Sequence, residues 1–345
     1  MKNITKVGLS ALAGSLAFAS VNAGEVSISG SMIASFTKKG GYNTTGNPLN
    51  MNKELTFSGS GELDNGTSVA YKMTTDQMAL NDSELVFTGL PFSAGGTVAL
   101  TSTGGPIDAV DNVTPIAFEE AEAAVGSIDD VSGVNGTYGI RYTLADVAGS
   151  GVTLDAMYVP KAGTGDSGNE KGTNAGDAAT GSGFDVVLKG AVPMVDGLTF
   201  TAGYSRVEKN GISRGDEDLH AGTLGANYAI GGLKVGYQRG VEVDSGASTN
   251  ETQHVNDYIG ISYAVSDNLT VSWNETESKR YNHTTVSTIN GGSAVIDTDQ
   301  DLESISLSYT MGGMTIGILD SEADNAAYTV DRKQSATAVQ MTIAF

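Results

Sequence analysis

The feature that most restricts what this chain can fold into is a period of two that recurs along nearly its whole length. Val26, Ile28, Gly30, Met32, Ala34 and Phe36 form one face of a stretch whose other face carries Glu25, Ser27, Ser29, Ser31 and Ser35. Residues 54–63 repeat it, with Leu55, Phe57, Gly59, Gly61 and Leu63 set against Glu54, Thr56, Ser58, Ser60 and Glu62. Strict alternation over this length is the signature of a β-strand with one oily and one wet face. Further strands are predicted over 67–75, 83–90, 96–103, 137–145, 151–159, 183–192, 197–206, 219–229, 232–243, 256–265, 268–278, 302–310, 313–320 and 335–345, sixteen in all.

Their connections alternate in predicted length. Short ones fall near 64, 92, 148, 195, 231, 267 and 312, and long ones near 44, 79, 120, 171, 212, 249, 290 and 327. A transmembrane antiparallel β-barrel of an outer membrane requires this asymmetry, with tight periplasmic turns and long outer loops. An even strand number returns both termini to the periplasmic side. Proline, excluded from strand interiors because it cannot donate to the ladder, gives an independent check: residues 48, 91, 106, 115, 160 and 193 all fall in or beside predicted connections.

The start of the chain fits export. Lys2 and Lys6 precede the apolar run VGLSALAGSLAFAS and a Val21-Asn22-Ala23 end, so residues 1–23 read as a cleaved signal peptide and 24–345 as the barrel. The run is too short for a membrane helix. Without Lys2 and Lys6 the chain carries 17 bases against 40 acids, which argues against nucleic acid as a partner. It contains no Cys, so disulfides and thiol chemistry are excluded. A soluble sandwich also alternates, but size, signal peptide and loop asymmetry favour the barrel.

Only apolar side chains are tolerated against hydrocarbon, which fixes the phase. Leu269, Val271 and Trp273, Ile305, Leu307 and Tyr309, and Ile259, Ile261 and Tyr263 face outward; Thr270, Ser272 and Asn274, with Ser304, Ser306 and Ser308, face inward. Extending the phase places Lys72, Arg141, Lys189 and Lys234 on the pore wall with Glu54, Glu62, Glu84 and Asp155. Arg206 and Arg239 fall on the outward side with Tyr204 and Tyr237, which requires that both lie at the outer rim or that a bulge at Gly240 turns the second.

The alternation stops over residues 104–136. This stretch holds Asp108, Asp111, Glu119, Glu120, Glu122, Asp129 and Asp130 and no Lys or Arg. Thr114 is placed to cap a helix, Pro115 to occupy its first position, and Gly126 to end it in the left-handed conformation. The expectation is a third loop that carries a short acidic helix into the lumen and narrows it. Acids concentrated there favour cations over anions.

Thr337, Val339, Met341, Ile343 and Phe345 alternate to a terminal aromatic. This end resembles the last strand of Gram-negative outer-membrane barrels, and with the sixteen strands and long third loop the whole chain resembles the general diffusion porins. SELVFTGL at 83–90 and GGPIDAVDNV at 104–113 are most similar to alphaproteobacterial porins. The resemblance implies outer-membrane localisation among lipid, a homotrimer, and passive diffusion of ions and small hydrophilic solutes. It further implies an insertion signal read from Phe345 by the barrel-insertion machinery, and a third loop facing wall cations, for which Lys72 and Arg141 are the matching positions by phase. The scarcity of wall arginines departs from the family pattern.

Asp297, Asp299 and Asp301 alternate like the start of a calcium loop but lack its glycine at position 6 and glutamate at 12. Loosely bound divalent cations such as calcium are the most that pattern supports, and no other cofactor is expected. His220, His254 and His283 have no serine motif or carboxylate pair beside them, so the chain does not read as an enzyme. The alternatives are a substrate-specific channel, which needs a line of inward aromatics where the outward phase claims most of them and Tyr258 is one exception, and an exported adhesive or structural β-protein.

Overall fold

Sixteen strands, each antiparallel to both neighbours, close into a barrel in which the last strand pairs with the first. The computed structural model describes residues 26–77, 79–126, 128–134, 138–162, 180–209, 218–245, 250–284 and 298–345. The signal peptide expected over 1–23 lies outside the described residues. In chain order the strands are β1 (Val26–Gly41), β2 (Leu49–Glu62), β3 (Ser68–Asp76), β4 (Ala79–Thr88), β5 (Thr97–Thr101), β6 (Gly139–Leu144), β7 (Val152–Val159) and β8 (Thr180–Ala191). They continue as β9 (Leu198–Lys209), β10 (Leu219–Ile230), β11 (Leu233–Ser245), β12 (Asn250–Ser266), β13 (Leu269–Thr284), β14 (Thr298–Met311), β15 (Met314–Asp324) and β16 (Gln334–Ala344). Gly30 and Phe345 complete the seam by exchanging backbone hydrogen bonds of 2.9 and 3.0 Å.

The expected strands are all present, and all six prolines lie outside them. Several strands extend further toward the long loops than alternation indicated, because polar residues on both faces can still pair where water reaches both. Thus β12 starts at Asn250 and β13 reaches Thr284. One connection read as long is corrected: β3 ends at Asp76 and β4 begins at Ala79, with Gln77 at φ 50; the connections expected near 171, 212, 249 and 290 lie outside the described residues. Polar composition marks where a strand can stop, without fixing the number of residues needed to turn.

The barrel's buried apolar residues gather where the segment between β5 and β6 folds back onto the inner wall. Phe118, Ala121, Ala124, Val125 and Ile128 pack against Tyr258, Leu302, Leu319 and Ala338. Ile107, Val110, Val131 and Val134 pack against Met157, Val187 and Val207. The opposite face of the strands is apolar and exposed, as at Leu224 and Ile305, where nearly two-thirds of each residue is uncovered. A wall oily outside and polar inside is stable only with hydrocarbon around it and water within.

Candidate functional site

The inserted segment is positioned by wall side chains that bond its backbone. On β8, Asp185 accepts from the Ile107 N–H at 3.4 Å with Oδ2 and from the Val134 N–H at 3.1 Å with Oδ1, so one carboxylate holds the outgoing and returning limbs together. On β11, the buried Gln238 accepts from the Val113 N–H at 2.7 Å and donates to the carbonyls of Val110 at 2.8 Å and Asp111 at 2.6 Å. Asn227 on β10 donates to the Val113 carbonyl at 2.8 Å, and Asn274 on β13 to that of Pro115 at 3.1 Å. Farther on, the Ala117 N–H donates to Ser272 at 2.9 Å and the Phe118 N–H to Ser306 at 3.2 Å. On the way back, Ser132 donates through N–H and hydroxyl to Glu242, at 2.9 and 3.0 Å.

Close approach of the segment also needs missing side chains on the wall. A Cβ at Gly260 would lie 2.8 Å from the Pro115 carbonyl oxygen, and one at Gly317 only 2.2 Å from the Phe118 ring. Glycine is required wherever another element must pass this near the backbone. The seating therefore follows an arc from β7 to β16, with Glu122–Val125 reaching β1, and the wall of β2–β6 faces the segment across the lumen.

Local structure inside the segment differs from expectation. The α-helix, α1, is confined to Glu122–Val125, and a separate 3-10 turn covers Asp108–Val110. Thr114 caps nothing; its hydroxyl donates to Asn112 Oδ1 at 2.7 Å. Residues 113–118 instead run along the wall, because their backbone groups find Gln238, Asn227, Asn274, Ser272 and Ser306 before they can find one another. Gly126 does end α1, but at φ 151 and ψ 164, an extended conformation open to glycine alone and not the left-handed one.

The seven acids divide into two sets. Asp111, Glu120 and Glu122 are buried against the wall, whereas Asp108, Glu119, Asp129 and Asp130 retain access to water. The picture of a helix presenting all its acids to the lumen is thus corrected. Burial, reinforced by Glu120 and Asp130, pushes the Glu122 carboxyl well above the usual glutamate range. Burial and Glu120 raise Glu119 as well. Asp129 is shifted down, chiefly by His254, whose Nε2 lies 2.9 Å from its Oδ2. Tyr258 is fully buried beneath the segment with its hydroxyl on Asp130, so it does not line a path for solute.

The strand registers put Lys72, Arg141, Lys189, Lys234, Glu54, Glu62, Glu84 and Asp155 on the inward face. Lys72 pairs directly across from Glu84. Arg141 is bound by Asp155 through both carboxylate oxygens, with Nε at 2.8 Å, which removes most of its charge from the lumen. Arg206 and Arg239 are on the outward face, and the register runs through Gly240 without a bulge. Arg206 sits three residues from the end of β9 and pairs with Asp218. Arg239 lies midway along β11, where Asp257 of the next strand binds it at 2.8 and 2.7 Å.

The acidic sequence near 299 is corrected too. Asp299 and Asp301 lie on the outward face of β14 and not in a loop, and Asp297 is outside the described residues. Among the described residues no group of three or more His, Cys, Asp or Glu is disposed to hold a metal ion. His220 faces outward, its Nδ1 2.8 Å from the Tyr204 hydroxyl, while the side chain of His283 lies outside the described set. Sequence reading missed Asp185, Asn227, Gln238, Asn256 and Tyr328. The first four carried a usable signal, being amides or a carboxylate in the inward phase at strand positions where Ser, Thr or Gly would suffice.

The family model for Gram-negative porins matches residues 8–315. No match is found among curated proteins. Among solved structures, the trimer form of in-vitro folded OmpT, an outer membrane protein of Vibrio cholerae, is 11% identical with a TM-score of 0.63, covering 94% of this chain and 100% of that one. An anion-selective porin from Comamonas acidovorans is 14% identical with a TM-score of 0.65, covering 94% and 100%. A mutant of the Rh. blastica porin is 16% identical with a TM-score of 0.56, covering 93% and 100%. At these identities the likeness concerns the fold.

Proposed function

The chain belongs to the Gram-negative porin family, an outer-membrane barrel crossing the bilayer many times, and we propose that its water-filled channel passes cations in preference to anions, with residues 104–136 as the constriction. The observation that carries this reading is the one-sided seating of the inserted segment. It narrows the bore from the β7–β16 side and turns Asp108, Glu119 and Asp129 toward water, while the facing wall adds Glu54, Glu62 and Glu84. Arg141 is engaged by Asp155, leaving Lys72 as the main counterweight there. Acids in a low-dielectric tube give a negative potential that enriches cations and repels anions.

Ions and small hydrophilic solutes are the permeants, moved by passive diffusion. A substrate-specific channel is less well supported, since Tyr258 is buried under the loop and Tyr328 is engaged by it. Homotrimeric assembly is part of the proposal, supported by the trimer form of the Vibrio structure. So is the reading of Phe345 as an insertion signal, supported by its exposed ring at the barrel seam. Planar-bilayer reversal potentials in a salt gradient test the selectivity. Asp108→Asn, Glu119→Gln and Asp129→Asn combined are expected to lower the cation-to-anion permeability ratio markedly, and an unchanged ratio removes the constriction assignment.

A further inference from the structure

The connection from β15 to β16 turns Tyr328, with Ala326 two residues before it, inward against the inserted segment, and Tyr328 is 7% exposed. Its hydroxyl closes a ring of hydrogen bonds around Asp129. The Asp129 N–H donates to the Tyr328 oxygen at 3.2 Å, and that hydroxyl meets Ser278 Oγ at 2.6 Å. Ser278 donates to Asn256 Oδ1, and Asn256 Nδ2 donates back to the Asp129 carbonyl at 2.9 Å. With the amide of Asn256 fixed in that orientation, Ser278 is a donor to it, and the Tyr328 hydroxyl must be the donor to Ser278. Both backbone groups of Asp129 are thereby captured in one circuit. The Tyr328 ring is held beneath Arg280, whose guanidinium carbon is 4.6 Å from its centroid, and 5.7 Å from the ring of His254.

The backbone that delivers this side chain is strained. Asn325, Ala327 and Tyr328 have φ of 52, 53 and 52, and none is glycine. Such conformations persist only where the surroundings over-determine them and are concentrated at functional positions. Here they are fixed by an internal net, with Asn325 donating to the Asp299 carbonyl and accepting from the Asp331 N–H, each at 3.0 Å. A loop that merely joined two strands would not require a tyrosine in the left-handed region.

We propose that Tyr328 is a positioning residue for the constriction: it acts through Asp129, holding the returning limb of the inserted segment, and so sets the width and steadiness of the pore. The inference rests on the reading of that segment as the constriction. Tyr328→Phe keeps the ring and deletes the hydroxyl; Ser278→Ala opens the same circuit at its next link.

Single-channel recordings on the full-length protein, folded as judged by heat-modifiable migration, are expected to show open-channel current noise several-fold above wild type for each variant. The double variant is expected to be no noisier than either single one, since a circuit already broken cannot be broken again. Loosening of the fold in general would make the two effects add. Wild-type noise in Tyr328→Phe, or additive effects, overturns the proposal. Reversal potentials on the same channels report the acidic constriction separately, so selectivity can fail while the noise result stands.

Discussion

Gln238→Leu is the most direct probe of how the inserted segment is held. Leucine matches glutamine in size but removes the acceptor of the Val113 N–H and the donor to the carbonyls of Val110 and Asp111. A hydrogen bond contributes about 1 kcal/mol net, and pore water can reach the freed groups once the segment lifts, so the net figure applies. Three such bonds come to about 3 kcal/mol of seating free energy, or about a hundredfold in the opening equilibrium at 1.4 kcal/mol per tenfold. Hydrogen–deuterium exchange on detergent-solubilised protein should show amides of the outgoing limb near Val113 exchanging about a hundredfold faster. Strand amides should be unchanged. Exchange within about threefold of wild type would mean that apolar packing of Ile107 and Phe118 does the holding and the Gln238 contacts are incidental.

Two other perturbations test different terms. Because Glu122 is raised above the usual glutamate range by burial and by Glu120 and Asp130, the seated segment keeps a proton that the released one gives up. Seating should therefore weaken as pH rises from the ordinary glutamate range toward the raised value, by up to 1.36 kcal/mol per pH unit. Glu122→Gln should flatten that slope in exchange rates measured from about pH 5 to about pH 8; parallel slopes in both proteins would count against it. On the outward face, Asp257→Asn leaves Arg239 beside lipid with a neutral partner, and a lipid-facing Arg costs about 2 to 4 kcal/mol near the midplane. Thermal unfolding of Asp257→Asn should fall below wild type and recover when Arg239→Leu is added; equal stability of all three would place this stretch of β11 outside the hydrocarbon.

The barrel could be read from sequence because its information is local. Ser272 and Val271 differ in polarity at adjacent positions, and that difference alone assigns each to water or lipid. The path of the inserted segment could not be read in the same way. Thr114, Pro115 and Gly126 spell a helix by every nearby rule, yet Ser272 and Ser306, more than 150 residues away, take the N–H groups such a helix would use. Burial of Glu120 and Glu122 was hidden for the same reason: an acid in a loop defaults to solvent unless a distant wall is known to cover it. Arg239 shows the reverse, since Asp257 is its direct neighbour in the register and pairing β11 with β12 would have found the partner without a bulge.

The two halves of the inner wall differ in kind, and the difference explains why the segment lies where it does. Beneath the segment, the inward positions of β8 to β15 include Asn227, Gln238, Ser272, Ser306 and glycines such as Gly260 and Gly317, groups that admit another backbone or bond it, while Asp185 and Glu242 accept from its N–H groups. From β2 to β6 they include Glu54, Lys72, Glu84 and Arg141, which are charged and would lose hydration if covered. A peptide entering this lumen is drawn to the first surface and kept off the second. The water-filled path must then run between the acids of the segment and the charged wall, so that the same division of side chains fixes where the loop rests and where solute can pass.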